Sequence, residues 1–356
     1  MKVLVTGASG FVGAHVTRAL LGRGAEVRCL VRPARAGASA RRPRAAARPP
    51  SAARPDNLAG LPVERFPGDL CEPGSLRRAV EGCDVVYHVA ADYRLFTRDP
   101  EAMYAANVDG TDSLLASAAE AGVGKVVYTS SVGALGKTSD GTPADERTPV
   151  ELGDMVGHYK RSKFLAERVA ERWVERGLPV VVVNPSTPVG ELDVKPTPTG
   201  QMIVDFLWRR FPAYVDTGLN LVDVRDVAEG HLLAAERGRP GERYILGHCN
   251  MSLLEILQTL SRLTGLPAPR LRVPHWLPLA AAYVGGGVSR LTGATPRVTP
   301  EAVRMSRHRM FFDSGKAVRE LGLPQSPVEE ALARAVGWFT DHGYAPGRAA
   351  RVERTA

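Results

Sequence analysis

Cysteine is scarce: Cys29, Cys71, Cys83 and Cys249 stand far apart in 356 residues and form no CxxC pair. That spacing argues against a zinc site or a disulfide framework, so no metal is expected and a reducing compartment fits. Long apolar runs are missing too, since none approaches the roughly 20 residues that a membrane span needs. The longest, from Leu277 to Val288, is rich in Ala and Gly. It reads as a packed helix, with contact to a membrane surface as the alternative. No signal-peptide layout precedes the first strand-like run, Lys2-Val-Leu-Val-Thr6, and no internal repeat is visible. Acids are absent from one stretch in particular. Between Pro33 and Pro55 stand Arg35, Arg41, Arg42, Arg44, Arg48 and Arg54 with no Asp or Glu. Six of the chain's eight net positive charges therefore sit in one segment, and the remainder carries only +2. The basicity belongs to a loop and is no argument for a nucleic-acid-binding body.

What is present is an alternation of short β-branched runs with helical patterns, the signature of parallel strands joined by crossover helices. Strands are predicted at Val3–Thr6, Glu26–Val31, Val63–Pro67, Val85–Val89, Lys125–Thr129 and Val180–Asn184. Helices are predicted at Phe11–Arg23, Ser75–Glu81, Val108–Ala121 and His158–Arg176. Wholly apolar strands such as Val180-Val-Val-Val183 suit a sheet covered on both faces. The expected fold is α/β, a Rossmann-type doubly wound parallel sheet with a smaller C-terminal substrate-binding region. Residues 1–184 form the dinucleotide-binding domain, interrupted by a basic insertion at 33–55 whose Arg, Ala, Pro, Gly and Ser cannot bury a core. That insertion is expected to be disordered, either simply solvated or a basic arm touching lipid headgroups or nucleic acid. Residues 185–345 form the substrate region, interleaved with the last strands, and 346–356 a tail. Within the substrate region, helices are expected at Thr199–Arg210, Val224–Arg237 and Ser252–Leu263, and a strand at Tyr244–Gly247.

Three glycines, Gly7, Gly10 and Gly13, follow the first strand at intervals of three and open a helix. A dinucleotide pyrophosphate needs backbone N–H groups at a helix N-terminus with no side chain in the way. Gly7 permits the tight turn, Gly10 the close approach and Gly13 close helix–sheet packing. Ser9, Phe11 and Val12 complete the loop. The second strand ends at Arg32, where an acid would hold the adenosine ribose hydroxyls. A guanidinium there suits a 2′-phosphate, which favours NADP(H) and leaves NAD(H) open. Asp69 and Leu70 follow the third strand, where the carboxylate can accept from an adenine amino group or cap a turn. Val89, Ala90 and Ala91 end the fourth strand without bulk, as a cofactor lying across it requires.

Tyr159 and Lys163 are spaced i, i+4 on a predicted helix and so share a face. Free tyrosine titrates near pH ~10, and a neighbouring cation stabilises the phenolate. The pair is therefore an acid/base candidate. Some thirty residues earlier, Thr129-Ser130-Ser131 ends a strand with hydroxyls that can hold a carbonyl or carbinol oxygen.

In these motifs the chain resembles the extended short-chain dehydrogenase/reductases along nearly its whole length, apart from 33–55. The resemblance implies Ser131 as catalytic serine, Tyr159 as acid/base, and Lys163 as its activator and as a ligand of the nicotinamide ribose. It also implies Asn107, which opens the following helix, as support for a proton relay, though a plain helix cap explains it equally. Pro185, Ser186 and Thr187 match the segment that lines the nicotinamide. The strings His88-Val-Ala-Ala-Asp92-Tyr-Arg-Leu95, Gly157-His-Tyr-Lys-Arg-Ser-Lys163 and Lys195-Pro-Thr-Pro-Thr-Gly200 look like the hopanoid-associated sugar epimerases. That narrower likeness implies a sugar or polyol substrate in hopanoid biosynthesis. Two positions depart from nucleotide-sugar epimerases: Leu219 stands where they carry a diphosphate-binding Arg, and Thr187 where they commonly carry Asn. The general look is similar to dihydroflavonol 4-reductases and hydroxysteroid dehydrogenases, which makes an NADPH-dependent ketone reductase the alternative to an epimerase. A non-catalytic dinucleotide sensor is a third reading, opposed by the intact Tyr/Lys pair. Asp92, Tyr93, Arg94, Tyr214 and Asp216 are substrate-contact candidates. The expected partner is a small molecule, not nucleic acid, with a homodimer and a transient membrane-surface contact both compatible. The expected compartment is cytoplasmic or membrane-peripheral.

Overall fold

A computed structural model describes residues 1–33, 55–94, 97, 99–138, 140–279, 282, 303, 306–307 and 309–345. The arginine-rich segment, most of the Leu277–Val288 run and the tail expected from 346 lie outside the described residues. Seven strands form one parallel sheet: β1 (Lys2–Thr6), β2 (Glu26–Val31), β3 (Glu64–Pro67), β4 (Val85–His88), β5 (Lys125–Thr129), β6 (Val180–Pro185) and β9 (Arg243–Leu246). Their spatial order is β3-β2-β1-β4-β5-β6-β9. The order reverses beside β1, so the crevice at the carboxyl ends of β1 and β4 is where a doubly wound sheet binds ligands.

The period of two along each strand explains why these strands read as unbroken apolar runs. Val3, Val5, Val127, Val181 and Val183 feed the core on one face, while Leu4, Val126, Tyr128, Val180 and Val182 feed the core on the other. The first face is covered by α1 (Phe11–Gly22) and α7 (Val224–Arg237), through Val16, Leu20, Val227 and Leu232. The second is covered by α2 (Pro73–Val80), α4 (Gly110–Glu120) and α5 (His158–Glu175), through Leu76, Leu114, Leu115, Ala166 and Val169. Burying each such side chain stabilises the fold by about 1.5–3 kcal/mol.

A smaller sheet is built from β7 (Thr187–Val189), β8 (Gly218–Asp223) and β10 (Cys249–Ser252) in the order β10-β8-β7. It packs with α6 (Pro198–Leu207), α8 (Leu253–Thr264) and α10 (Val328–Asp341) around Ile203, Phe206, Leu221, Leu257, Leu332 and Phe339. The C-terminal half also returns to the main sheet, through β9, α7 and α9 (Gly315–Leu321).

One boundary differs from expectation in a way that matters for the site. The helix predicted from Val108 begins at Pro100: α3 (Pro100–Tyr104) is capped by Asp99 and runs through a π-helical turn, Ala105–Asp109, into α4. Asn107 therefore lies inside a continuous helical run and caps nothing, which corrects the reading of it as a helix opener. The aspartate, with proline at the first helical position, supplies the start that the apolar pattern did not reveal.

Candidate active site

The glycine loop is a cradle in which side chains have no room. Gly7 has φ +71°, and a Cβ there would lie 2.7 Å from Ala90 N; a Cβ on Gly13 would lie 2.2 Å from Gly7 O. The N-terminus of α1 begins at Gly10 with no side-chain cap, so its first N–H groups point out undressed. Ser9 and Gly10 are exposed, with Phe11 and Val12 partly so. This geometry fits a dinucleotide pyrophosphate. Arg32 stands exposed at the end of β2. Asp69 spends one carboxylate oxygen on Cys71 N at 3.0 Å, capping its own turn. Leu70 is buried in the core beside α4. Val89, Ala90 and Ala91 are partly exposed beyond β4. Near the end of β6, the Ser186 hydroxyl is buried without a hydrogen-bond partner, as a group awaiting a ligand would be. Pro185 ends that strand, and Thr187 opens β7 one residue beyond Ser186.

Across the same crevice, β5 delivers Thr129, Ser130 and Ser131, and α5 delivers Tyr159 and Lys163. Ser131 Oγ accepts from Gly133 N at 3.0 Å, which fixes the hydroxyl at the strand end. Tyr159 is half-buried. Burial pushes its phenol above the ordinary value, while hydrogen bonding with Ser131 pulls it down. Lys163 is buried, donates to Thr129 O at 2.8 Å and stands over the Tyr128 ring. Its burial lowers its pKa to about 8, opposed by the charge of Glu167. Desolvation is thus the larger influence on the phenol, and the Lys163 ammonium is committed to a carbonyl. Ser131 is near enough to influence the titration of the phenol, and the lysine is anchored one helical turn away.

Several side chains that hold this arrangement, Thr6, His88, Thr111, Ser162 and His231, were not singled out as site residues by the sequence. Thr111 Oγ1 donates to Asn107 O at 2.7 Å, so it must accept from His88 Nε2 at 2.9 Å. His88 Nδ1 then accepts from Thr6 Oγ1 at 2.8 Å, and Thr6 accepts from Ala90 N. The chain runs from the glycine cradle to the π-turn, and burial holds His88 neutral, with a pKa down to about 3. His231 does the same for β5. Its Nδ1 donates to Val227 O at 2.7 Å, so Nε2 accepts from Thr129 Oγ1 at 2.8 Å. Asn107 uses its amide fully: Oδ1 accepts from Asp92 N at 2.7 Å, and Nδ2 donates to Asp92 O and to Ser162 Oγ, each at 2.9 Å. It clamps the end of β4 to α5. Buried polar residues at strand ends were the available signal.

The remaining candidates scatter. Asp92 pairs with Arg94, and Tyr93 donates to Lys195 O at 3.0 Å, with the Lys195 ammonium over its ring. Tyr214 bridges to Arg272 by backbone hydrogen bonds with Leu271 and Val273 and packs on the smaller core. Asp216 pairs with Arg272 and Arg309. His158 meets Tyr104 at 3.3 Å, outside the hydroxyl cluster. Leu219 packs on the smaller core beside Met310, as an apolar wall.

The model of the NAD dependent epimerase/dehydratase family matches residues 3–247. A putative dihydroflavonol 4-reductase of Synechocystis sp. is 50% identical over 96% of this chain and 95% of its own length. Sterol demethylase protein B of Methylococcus capsulatus is 37% identical over 96% and 99%. The crystal structure of gox2253 superposes with a TM-score of 0.82 at 47% identity, covering 97% of this chain and 99% of that one.

Proposed function

This chain belongs to the NAD dependent epimerase/dehydratase family, and from that premise we propose that it interconverts a ketone and a carbinol on a largely apolar substrate, with NADP(H) as exchangeable cofactor. The observation that carries the reading is the convergence of Ser131, Tyr159 and the anchored Lys163 opposite the glycine cradle. Bound nicotinamide would supply or take the hydride. Ser131 holds the substrate oxygen by its hydroxyl. Tyr159 passes a proton at its phenol oxygen to that oxygen in reduction and takes it back in oxidation. Lys163 would hold the nicotinamide ribose and steady the phenol as its charge changes. Asn107 acts by position, keeping the β4 end and α5 in register. Gly7, Gly10 and Gly13, with Ser9, Phe11 and Val12, would hold the pyrophosphate, and Arg32 the 2′-phosphate.

The apolar Leu219, in place of a diphosphate-binding arginine, favours reduction of a hydrophobic ketone over epimerisation of a nucleotide sugar. The reductase name carried by the Synechocystis relative supports the same choice, and the sterol named for the Methylococcus relative supports an apolar substrate. A hopanoid-linked sugar or polyol remains the second reading, favoured by the motif strings around His88, Gly157 and Lys195. Leu271, Trp276 and Leu277 are 61%, 64% and 45% exposed, close in sequence to Arg270 and Arg272 and beside Tyr214. This grouping supports a membrane-surface contact at the substrate end. Tyr159→Phe is the test. Its hydride-transfer rate should fall by about 10²–10⁴-fold, the usual worth of a general acid. NADPH affinity by fluorescence titration should change less than twofold; an unimpaired rate would refute the role.

A further inference from the structure

Beside the hydroxyl cluster lies a buried cation that the proton transfer does not use. Lys160, next to Tyr159 on α5, is only 6% exposed. Its Nζ has one hydrogen-bond partner among the described residues, the thioether of Met310 at 4.0 Å. Among the described residues no carboxylate pairs with it, and the other charge acting on it is a second cation, Lys137. Burial and that repulsion lower its pKa to about 8. An ammonium buried without an anion costs several kcal/mol, so an unanswered one at neutral pH calls for a ligand.

Its position says which ligand. Gly133, two residues after Ser131, is packed by both groups: a Cβ there would stand 3.3 Å from Ser131 Oγ, 3.6 Å from Lys160 Cγ and 3.8 Å from Lys160 Cε. The lysine stem and the serine hydroxyl thus lie against the same glycine, which sets Lys160 beside the reacting end of the site. Met310 belongs to the other side of the cleft: its N donates to Gly218 O at 2.8 Å and its O accepts from Asn220 N at 2.9 Å, along β8. The ammonium therefore lies between the Ser131 turn of the main sheet and the wall of the smaller one. Lys137 closes the same turn, and Asp154 acts on Lys137 but not on Lys160.

We propose that Lys160, assisted by Lys137, is a carboxylate-binding subsite, and that the substrate carries a carboxylate close to its reacting carbon. A carboxylate supplies the negative charge that the Lys160 ammonium lacks, and the apolar Met310 and Leu219 take the rest of the skeleton. The inference rests on the carbonyl–carbinol reading and narrows its substrate class.

The test uses ketones as free acid and methyl ester, benzoylformate and levulinate being suitable pairs, with the full chain and NADPH. Wild type should favour the acid by tenfold or more in kcat/KM. Lys160→Met should bring the acid-to-ester ratio close to one, and Lys160→Arg should restore it. Calorimetric titration with phenylacetate and methyl phenylacetate reads the subsite without turnover. The acid should bind at least tenfold more tightly than the ester, and only when Lys160 is present. Equal binding of acid and ester, or a preference surviving in Lys160→Met, overturns the subsite. Acid-selective binding without turnover of any ketone supports the subsite and contradicts the reaction instead.

Discussion

At the scale of residues, the site is held by neutral histidines. His231 is fully buried, with its pKa lowered to about 4 by burial, against a gain from Val227 O. Unfolded, it would titrate near 6.5. Its contribution to stability is therefore complete above pH 6.5 and is lost progressively as pH falls toward 4. At pH 5 the loss is about 2 kcal/mol. Asp193 acts in the opposite sense: burial raises its carboxyl to about 7, and the stability it gives is lost as pH rises through that value. Total acid sensitivity therefore mixes signs, and the difference between two proteins isolates one group. Urea unfolding of wild type and His231→Gln at pH 7.5 and 5.0 should show the variant losing about 2 kcal/mol less over that interval. An unchanged difference would place the imidazole's proton elsewhere. Tyr159 and Lys163 could be read as a pair because four residues along a helix is a local spacing, and Ser131 because it ends an apolar strand run. The partners of His88 and His231 were not, because Thr6 and His88 are 82 positions apart, and Thr129 and His231 are 102 apart.

At the scale of elements, close approach governs the first βα unit. A Cβ on Gly13 would meet the carbonyl oxygen of Gly7 at 2.2 Å, and this is backbone that cannot move aside. Gly22, at the end of the same helix, is exposed and meets nothing within 4 Å. Gly13→Ala should lower stability by about 1–3 kcal/mol and weaken NADPH binding at least tenfold. Gly22→Ala should leave binding unchanged and raise stability by about 0.4–1 kcal/mol. Paired thermal melts and fluorescence titrations check both, and equal behaviour of the two variants would contradict the cradle. The alternating strands of the main sheet were legible because each residue must enter one of two cores. The smaller sheet was not. β7 is three residues with a central Pro188, and β8 carries Asn220, whose amide reaches Asn250 at 2.8 Å and Phe312 O at 3.1 Å. Those hydrogen bonds come from chain far away, and no period in the local sequence announces them.

At the scale of the whole molecule, the site draws on two sheets, one of seven strands and one of three. The larger carries the hydroxyls, the lysine and the glycine cradle; the smaller supplies an apolar wall through Leu219 and its neighbour Met310. Among the described residues no helix is long and apolar enough to cross a membrane. The chemistry common to the family allows either net redox turnover, in which cofactor leaves each cycle, or epimerisation, in which it stays. The apolar wall and the lone Lys160 ammonium favour the first. Purified protein should be mixed with excess NADPH and a carboxylated apolar ketone while nicotinamide absorbance is followed, with any cofactor released on denaturation identified by mass spectrometry. The expected result is NADPH oxidised one-for-one with carbinol formed, over many turnovers, with free exchange of cofactor. Tightly retained NAD, no net oxidation and a substrate returned as its epimer would contradict it.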